Sequence, residues 1–218
     1  MNFLEILELT GGYKKKPSQA RSNKTVEDLY QCAKEIFESE TDEEFSTKLL
    51  SEKSGYSAGV IYRYFNKFED IFLKIFFERA NQHIIEVQEI YLNHKSTENI
   101  DLLIEKIVEH GFSSFFSRSL SVKKLHLIFR FAMRRLKNPD IVFTFNDFFV
   151  SHMMDLQKND KTNTFETMNE MECISRLRAF DLFMRIPYTT SNNTFNFQEH
   201  KISCFKFGVQ IFTKHSDK

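Results

Sequence analysis

Apolar residues recur every three or four positions along most of the chain, which is the spacing of helices with one buried face. The first such segment begins near residues 23–25, where Thr25 and Asp28 have the spacing of a capping box. Polar stretches interrupt the pattern and separate one segment from the next. We therefore predict an all-α fold of about nine helices, the later ones over residues 46–54, 57–65, 67–92, 98–117, 121–137, 140–158, 165–187 and 196–214.

Two of the predicted helices are short and follow each other closely. Ser46 is a natural N-cap for the first of them, and Gly55 is suited to end it in the left-handed conformation. Ser57 is placed to cap the second. Two short helices joined by a tight turn that contains glycine are typical of a helix-turn-helix motif, whose second helix enters the major groove of DNA with its N-terminus first.

The composition favours a helical protein without a metal or cofactor. With only 6 Gly and 3 Pro in 218 residues, few positions interrupt a helix. The three cysteines, Cys32, Cys173 and Cys204, have no metal-ligand spacing, so we expect buried, reduced thiols in a cytoplasmic protein. Glu5 and Glu8 interrupt the apolar start, which is therefore not a secretory signal, and no apolar run is long enough to span a membrane.

The N-terminal residues differ in charge from the rest of the chain. Residues 12–25 contain five positive charges and no acid, although the net charge of the whole chain is zero. We predict a flexible basic arm over residues 1–22, a helix-turn-helix domain over 23–70 and a helical domain over 71–218. The cations of the arm are Lys14, Lys15, Lys16 and Arg21.

The segment STKLLSEKSGYSAGVIYRYFNKFEDI, residues 46–71, resembles the DNA-binding domain of the TetR (tetracycline-repressor) family of helix-turn-helix transcriptional regulators. The matching positions are Thr47, Leu50, Gly55, Ser57, Gly59, Ile61, Tyr62, Tyr64, Phe65 and Glu69. CAKEIF, residues 32–37, is similar to the first helix of that family. The resemblance covers residues 25–72, and the rest of the chain matches the family only in length and helical character.

The resemblance implies a regulator, most often a repressor, that binds a double-stranded DNA operator. It implies core positions at Leu29, Ala33, Phe37, Leu50, Ile61 and Phe65. It implies that Thr47 and Lys48 touch DNA and that Ala58, Gly59 and Val60 face the groove, while Tyr62 meets a phosphate with Arg63 and Tyr64 beside it. Ser57 and the neighbouring N–H groups suit a phosphate oxygen. Ser46 and Lys67 complete the predicted interface, Lys67 standing next to the position of a family lysine that is Phe68 here.

The charge of this module is unusual for a DNA-binding domain. Between residues 24 and 75, 7 Lys and Arg stand against 11 acids, which gives a net charge of 7 − 11 = −4. A DNA-binding module is expected to be basic. Either the contact face is locally basic and the acids lie elsewhere, or binding depends on the N-terminal arm lying along phosphates or in the minor groove. We favour the second interpretation, and a disordered tail is the alternative for the arm.

In this family the C-terminal domain binds a small molecule and dimerises. Residues 110–154 are rich in Phe and Met, which is typical both of an apolar effector pocket and of an ordinary helical core. For a small apolar or amphipathic effector the candidate pocket residues are His110, Phe116, Phe129, Met133, Phe149 and His152. The apolar stripes of the last two helices fit either a homodimer interface of four helices or packing within one subunit.

Two other classes of function were weighed against a regulator. The sequence has no nucleophile elbow, P-loop, HExxH or GxGxxG motif, so we expect that the protein is not an enzyme. A helical protein-interaction module with a weak or vestigial helix-turn-helix is the remaining alternative, and the net negative charge of residues 24–75 favours it.

Overall fold

The computed structural model describes residues 20–39, 46–67, 70–116, 147–189 and 196–214. Within these residues the chain forms nine helices, which confirms the predicted all-α class. They are α1 (Ala20–Glu38), α2 (Thr47–Ser54), α3 (Ala58–Tyr64), α4 (Asp70–Leu92), α5 (Ile100–Phe116), α6 (Asp147–Asn159), α7 (Glu170–Met184), α8 (Ile186–Thr189) and α9 (Phe197–Phe212). The helix predicted over residues 121–137 lies outside the described residues, as do Lys14, Lys15 and Lys16.

The first helix begins earlier than its capping pattern predicts. Thr25 lies inside α1, and its Oγ1 donates a hydrogen bond to the carbonyl oxygen of Arg21 at 3.1 Å. A Thr hydroxyl that bonds to the preceding turn is typical of a helix interior, so the predicted N-cap role of Thr25 is wrong. Arg21, which the sequence placed in the arm, belongs to the first turn of α1.

The described residues divide into two compact units, with the boundary inside α4 between Asn81 and Gln82. In the first unit the predicted core positions are confirmed, because none is more than 2% exposed: Leu29, Ala33, Phe37, Leu50, Ile61 and Phe65. The first turns of α4 add Ile71, Leu73 and Ile75 to the buried residues of this unit. One core therefore includes residues from α1, α2, α3 and the start of α4.

The second unit is built around α9, which packs against α5 and α7. The contact is close at Gly208, where a Cβ atom would lie 2.6 Å from Cγ2 of Ile104 and 2.8 Å from Cε2 of Phe180. Only a residue without a side chain lets the three helices approach this closely. Cys173 and Cys204 are fully buried in the same core.

The segment between α6 and α7 ties the start of α5 to the end of α9. The Asp160 carboxylate accepts hydrogen bonds from backbone N–H groups, among them that of Thr164 at 2.8 Å. Thr164 Oγ1 then accepts from the N–H of Ile100 at 3.2 Å, and the N–H of Glu166 donates to the carbonyl oxygen of Phe212 at 2.9 Å. The pKa of Asp160 is lowered overall. Burial by itself would raise it, but the hydrogen bonds from the side chain and N–H groups of its neighbours have the larger effect.

All three cysteines are free and buried, which confirms the expected reduced thiols. Burial raises the pKa of Cys173 to about 11 and that of Cys204 to about 12, and it also raises the pKa of Cys32. These thiols are therefore protonated at neutral pH, and the thiolate is the reactive form of cysteine. Such groups contribute to packing.

We predict that Gly208→Ala destabilises the protein by about 1–2 kcal/mol, because the added methyl group overlaps Ile104 and Phe180. The better helix propensity of alanine offsets only part of this cost. Urea unfolding followed by circular dichroism measures the change. Gly59→Ala is the matched control, since its Cβ would meet no atom closer than Ser57 Oγ at 3.8 Å. Equal stability of the two variants would contradict the close packing.

Candidate nucleic-acid interface

The second helix has the ends that its sequence predicts. Ser46 is extended, with φ −142° and ψ 154°, and its side chain accepts a hydrogen bond from the N–H of Leu49 at 3.1 Å. Gly55 ends the helix with φ 73°, in the left-handed region that glycine adopts without strain. Both predicted caps are confirmed. The capping bond also occupies the Ser46 hydroxyl, which sets the direction in which α2 begins.

The turn between α2 and α3 is held by hydrogen bonds to Tyr56. Its carbonyl oxygen accepts from Ser51 Oγ at 2.7 Å, and its N–H donates to Ser54 Oγ at 3.3 Å. Its hydroxyl donates to Asp28 Oδ2 at 2.7 Å, and this hydrogen bond raises the pKa of Tyr56. The side chain of Tyr56 therefore ties the turn to α1, a role that the sequence did not reveal.

The third helix has one exposed and one buried side. Ser57, Ala58, Gly59, Tyr62 and Arg63 are exposed, and Val60 is half-buried. The opposite side carries Ile61, Tyr64 and Phe65, which are 0%, 8% and 2% exposed. The exposed side is the surface that α3 offers to a partner, and we call Ser57, Ala58, Gly59, Tyr62 and Arg63 the α3 face.

Tyr64 was also predicted to contact DNA, but it is only 8% exposed. It lies three residues after Ile61, so both side chains fall on the same side of the helix. The core that buries Ile61 therefore buries Tyr64 as well. The sequence places two similar tyrosines on either side of Arg63, and it does not show that Tyr62 points away from the core while Tyr64 is buried.

The two helices of the motif meet through a pair of hydroxyl groups. Thr47 Oγ1 lies 2.8 Å from the hydroxyl oxygen of Tyr62, and the contact is exposed. Thr47 begins α2 and Tyr62 lies in α3, so two predicted contact residues from different helices come together. A hydroxyl group both donates and accepts, so the pair retains hydrogen-bonding capacity for an external oxygen.

The start of α3 leaves room for a close approach. Ser57 occupies the N-cap position with φ −67° and ψ 154°, but its side chain makes no capping hydrogen bond. Next to it, a Cβ atom at Gly59 would meet only Ser57 Oγ, at 3.8 Å. The fold therefore does not require glycine at this position. The absence of a side chain leaves open space outside the helix, where a partner would come close to the backbone.

Three predicted cations lie on this module with different neighbours. Lys48 has a side chain that is 84% exposed and forms a 3.9 Å ion pair with Glu52 one turn later. Arg63 and Lys67 are exposed. The backbone N–H of Lys67 donates to Asp70 Oδ2 at 2.9 Å, so the fully buried carboxylate of Asp70 holds the start of α4. An ion pair as exposed as Lys48–Glu52 is weak, and it leaves Lys48 available to a polyanion.

Most acids in the described part of the module contact another group of the protein. Six of those between residues 24 and 75 lie in the described residues: Glu27, Asp28, Glu35, Glu38, Glu52 and Asp70. Three of them form ion pairs: Glu27 with Lys74, Glu38 with Arg79 and Glu52 with Lys48. Two accept a hydrogen bond: Asp28 from Tyr56 and Asp70 from the N–H of Lys67. These contacts fix where the described negative charges lie, although the hydrogen bonds from neutral donors leave the charges of Asp28 and Asp70 in place.

Two of the predicted effector-pocket residues lie beside the same ring, that of Tyr91, in the second unit. Phe149 is buried with its ring 5.2 Å from that of Tyr91, and the half-buried His152 stacks on Phe148 at 5.2 Å. His110 lies elsewhere, on α5. Phe129 and Met133 lie outside the described residues, and only the backbone of Phe116 is described.

His110 contacts two polar side chains of α4. Its Nε2 lies 3.1 Å from Nδ1 of His83 and 3.3 Å from Oε2 of Glu86. Burial, followed by the charge of His110 and of Arg185, lowers the pKa of His83 to about 3. Burial also lowers the pKa of His110, although Glu86 opposes it. Sequence periodicity marked His110 but not His83, which lies in the polar part of a long helix.

The stripes of the last two long helices are partly buried within the unit. Leu177, Phe180 and Phe212 lie in its core. Other apolar side chains of α7 and α9 remain exposed, with Met171 at 70%, Leu182 at 66% and Ile202 at 54%. Each of the predicted alternatives therefore accounts for some residues: the core residues pack within the subunit, and the exposed ones are available for a partner.

No protein-family model and no curated protein matches this sequence. Among solved structures, a Mesorhizobium loti protein assigned to the TetR family of transcriptional regulators is similar, with a TM-score of 0.51 and 15% sequence identity. The match covers 88% of this chain and 95% of that chain. The chain thus has the fold of a TetR-type regulator, as its motif predicts, and the similarity extends well beyond the motif.

Two expected absences can be described for the residues that the structure covers. In this part of the chain no helix is long and apolar enough to cross a membrane. Across the same residues, no group of three or more His, Cys, Asp and Glu side chains could hold a metal ion.

We predict that His83 makes stability depend on pH. The unfolded chain binds a proton as pH falls below about 6.5, whereas folded His83 does not until about pH 3. Stability present at neutral pH is therefore lost on acidification, by about 2 kcal/mol between pH 6.5 and pH 5. Urea unfolding at pH 7 and pH 5 should show this loss, and His83→Asn should reduce it. An unchanged pH dependence in the variant would exclude His83 as its source.

Proposed function

We propose that this protein is a non-enzymatic, DNA-binding transcriptional regulator that acts in the cytoplasm, most simply as a repressor. The observation that carries the proposal is the α3 face: small residues at the start of the helix, then Tyr62 and Arg63, all exposed. Buried Ile61 and Phe65 support it from behind. A short helix that is firmly seated and presents its N-terminal end to solvent suits entry into a major groove.

The Thr47–Tyr62 pair is proposed to bind a phosphate of the DNA backbone. Hydroxyl groups bind phosphate oxygens and fix the position of a protein on the duplex without reading its sequence. One hydroxyl of the pair donates to the other at 2.8 Å, so the second hydroxyl keeps its hydrogen free to be donated to a phosphate oxygen. Ser57, at the start of α3, is proposed to bind a second phosphate with the help of the helix dipole.

We assign recognition of the DNA sequence to the start of α3 and to two cations. Ala58, Gly59 and Val60 allow the helix backbone to come close to the edges of the bases. Arg63 is exposed and is suited to guanine O6 and N7 or to a phosphate. Lys48 is proposed to lie near the bases and Lys67 near the backbone.

A homodimer through the last two long helices is proposed to bring two α3 helices to one palindromic operator. Met171, Leu182 and Ile202 are the exposed apolar side chains that such an interface would cover. A twofold dimer fits half-sites that lie one helical turn, about 34 Å, apart. Binding of a small apolar or amphipathic effector in the C-terminal domain would favour another spacing of the two α3 helices and so release the operator. The α4 helix would transmit this change.

The N-terminal arm is proposed to add affinity rather than specificity. Lys14, Lys15 and Lys16 precede Arg21, which lies in the first turn of α1. Cations on phosphates release counterions, so each contact makes binding more sensitive to salt. Removal of residues 1–19 should lower operator affinity and the slope of affinity against salt. Unchanged values for both would leave the arm as a tail without a role in binding.

The alternative, an interaction module with a vestigial helix-turn-helix, rests on the negative net charge of residues 24–75. The pairing of five described acids within the module weakens this argument, because paired carboxylates repel DNA less. A selection of sequences from random DNA distinguishes the two. Salt-sensitive enrichment of a palindrome supports the regulator, whereas enrichment of no sequence by the full-length protein supports the interaction module.

We predict that Gly59→Ala lowers operator affinity about tenfold or more, because a methyl group occupies the space that the DNA needs. Stability should be unchanged or increased by at most about 1 kcal/mol, since alanine is the better helix former and nothing in the protein opposes its side chain. Fluorescence anisotropy with the selected operator measures the affinity. Full affinity in this variant would show that α3 does not approach the DNA closely.

Tyr62→Phe and Tyr64→Phe form a matched pair of substitutions. We expect Tyr62→Phe to reduce operator affinity about threefold to tenfold, because it removes an exposed hydroxyl group of the proposed phosphate site. The same substitution at the buried Tyr64 should change affinity little. Equal losses in both variants would contradict the assignment of the phosphate contact to Tyr62.

A further inference from the structure

We propose that Lys74 and Arg79, which lie on α4 outside the predicted DNA surface, are positioning residues for DNA binding. Each clamps α1 to α4 through an aromatic ring and a glutamate of α1, and each thereby holds a carboxylate that would otherwise repel DNA. We call these the Lys74 clamp and the Arg79 clamp. The inference rests on the proposed function, since it assigns residues that set the affinity of the same surface.

The Lys74 clamp surrounds one ammonium group with a ring and two carboxylates. Nζ of Lys74 lies 3.6 Å from the centre of the Tyr30 ring, 3.4 Å from Oε2 of Glu27 and 3.7 Å from Oε1 of Glu78. The Tyr30 hydroxyl donates to Glu78, which closes the arrangement. The Lys74 side chain is only 19% exposed, so its charge is well shielded from the solvent.

The Arg79 clamp repeats the arrangement further along the same pair of helices. Nη2 of Arg79 lies 2.8 Å from Oε1 of Glu38, and its Cζ lies 5.1 Å from the centre of the Phe37 ring. The Arg79 side chain is 26% exposed. A cation over an aromatic face that also pairs with a carboxylate is more strongly held than an exposed ion pair.

The clamps connect α4 to the turn of the helix-turn-helix through α1. Glu27 and Glu38 anchor α1 to α4, and Asp28 of the same helix binds the hydroxyl of Tyr56 in the turn. Tyr56 in turn accepts a hydrogen bond from Ser51 of α2. A displacement of α1 would therefore move the turn that sets the position of α3. All these residues lie in the first unit.

The clamps also reduce the repulsion between the module and DNA. An unpaired glutamate on α1 adds a full negative charge to a module that already carries more acids than cations. Loss of a clamp cation makes the net charge one unit more negative and leaves that charge on a carboxylate of α1 that has lost its cation. Since Lys74 and Arg79 are held by carboxylates within the protein, they are not expected to contact phosphates themselves.

Charge reversal of the Arg79–Glu38 pair tests the proposal in the full-length protein. The variants are Arg79→Glu, Glu38→Arg and the double variant, which restores an opposite-charge pair and has the net charge of the wild type. Lys95→Glu is the charge-matched control, because Lys95 is exposed in the turn after α4, in the second unit. Operator affinity is measured by anisotropy over a series of salt concentrations.

We expect Arg79→Glu to bind the operator about tenfold more weakly than the wild type at low salt, and clearly more weakly than Lys95→Glu. The double variant should recover most of this loss. The slope of affinity against salt should change by clearly less than one unit, because salt screens the added repulsion, whereas loss of a direct phosphate contact would change the slope by about one unit. No recovery in the double variant, or equal affinity of Arg79→Glu and Lys95→Glu, would overturn the proposal.

Hydrogen exchange of the same four variants gives a readout that needs no DNA. Amides of α1 should lose protection in both single variants and regain it in the double variant, while amides of α9 stay unchanged. If the wild type binds no operator, the proposed function fails and the exchange still decides whether the clamps hold α1. If the amides of α1 were equally protected in all variants, the clamps would not hold α1, even if DNA binding were confirmed.

Discussion

The burial of one side of α3 is the constraint on which the rest of the module depends. A helix of seven residues is too short to be stable alone, so its geometry comes from tertiary packing. Ile61 and Phe65 supply that packing, and they fix which residues remain outside. The turn adds the second constraint: Gly55 supplies the left-handed conformation, and Tyr56 supplies the hydrogen bonds that join the turn to α2 and α1. The α3 face is the part of the helix that these contacts do not need.

Much of this could be predicted from the sequence, because helix periodicity and caps are local properties. The Ser46 cap and the Gly55 turn follow from residue type, and the buried core positions of the module follow from helical spacing and the family resemblance. Errors arose where a local pattern had two meanings. Thr25 has the spacing of a cap but bonds within a helix, and Tyr64 resembles Tyr62 but follows Ile61 on the buried side.

Contacts between distant positions could not be predicted, because a sequence does not show which acid meets which cation. Tyr56 and Asp28 are 28 residues apart, and Arg79 and Glu38 are 41 apart. Neither pair has a motif. His83 and His110 also meet from different helices, 27 residues apart, and their burial follows only from the packing of α4 on α5. A count of charges treats all these groups as independent, and here they are not.

Net charge is therefore a poor guide to the electrostatics of this module. A carboxylate that pairs with a cation is a weak source of repulsion at a distance, whereas one that accepts a hydrogen bond from a neutral group keeps its charge but has a fixed position. The cations on and beside the α3 face, Arg63 and Lys67, have no such strong partner among the contacts described above, and Lys48 has only an exposed one. Among the described residues, five of the six acids have a partner within the protein, while these cations face the solvent. A surface attractive to a polyanion can thus arise on a module whose total charge is negative, and the contacts that hold the acids become as important to binding as the cations that meet the DNA.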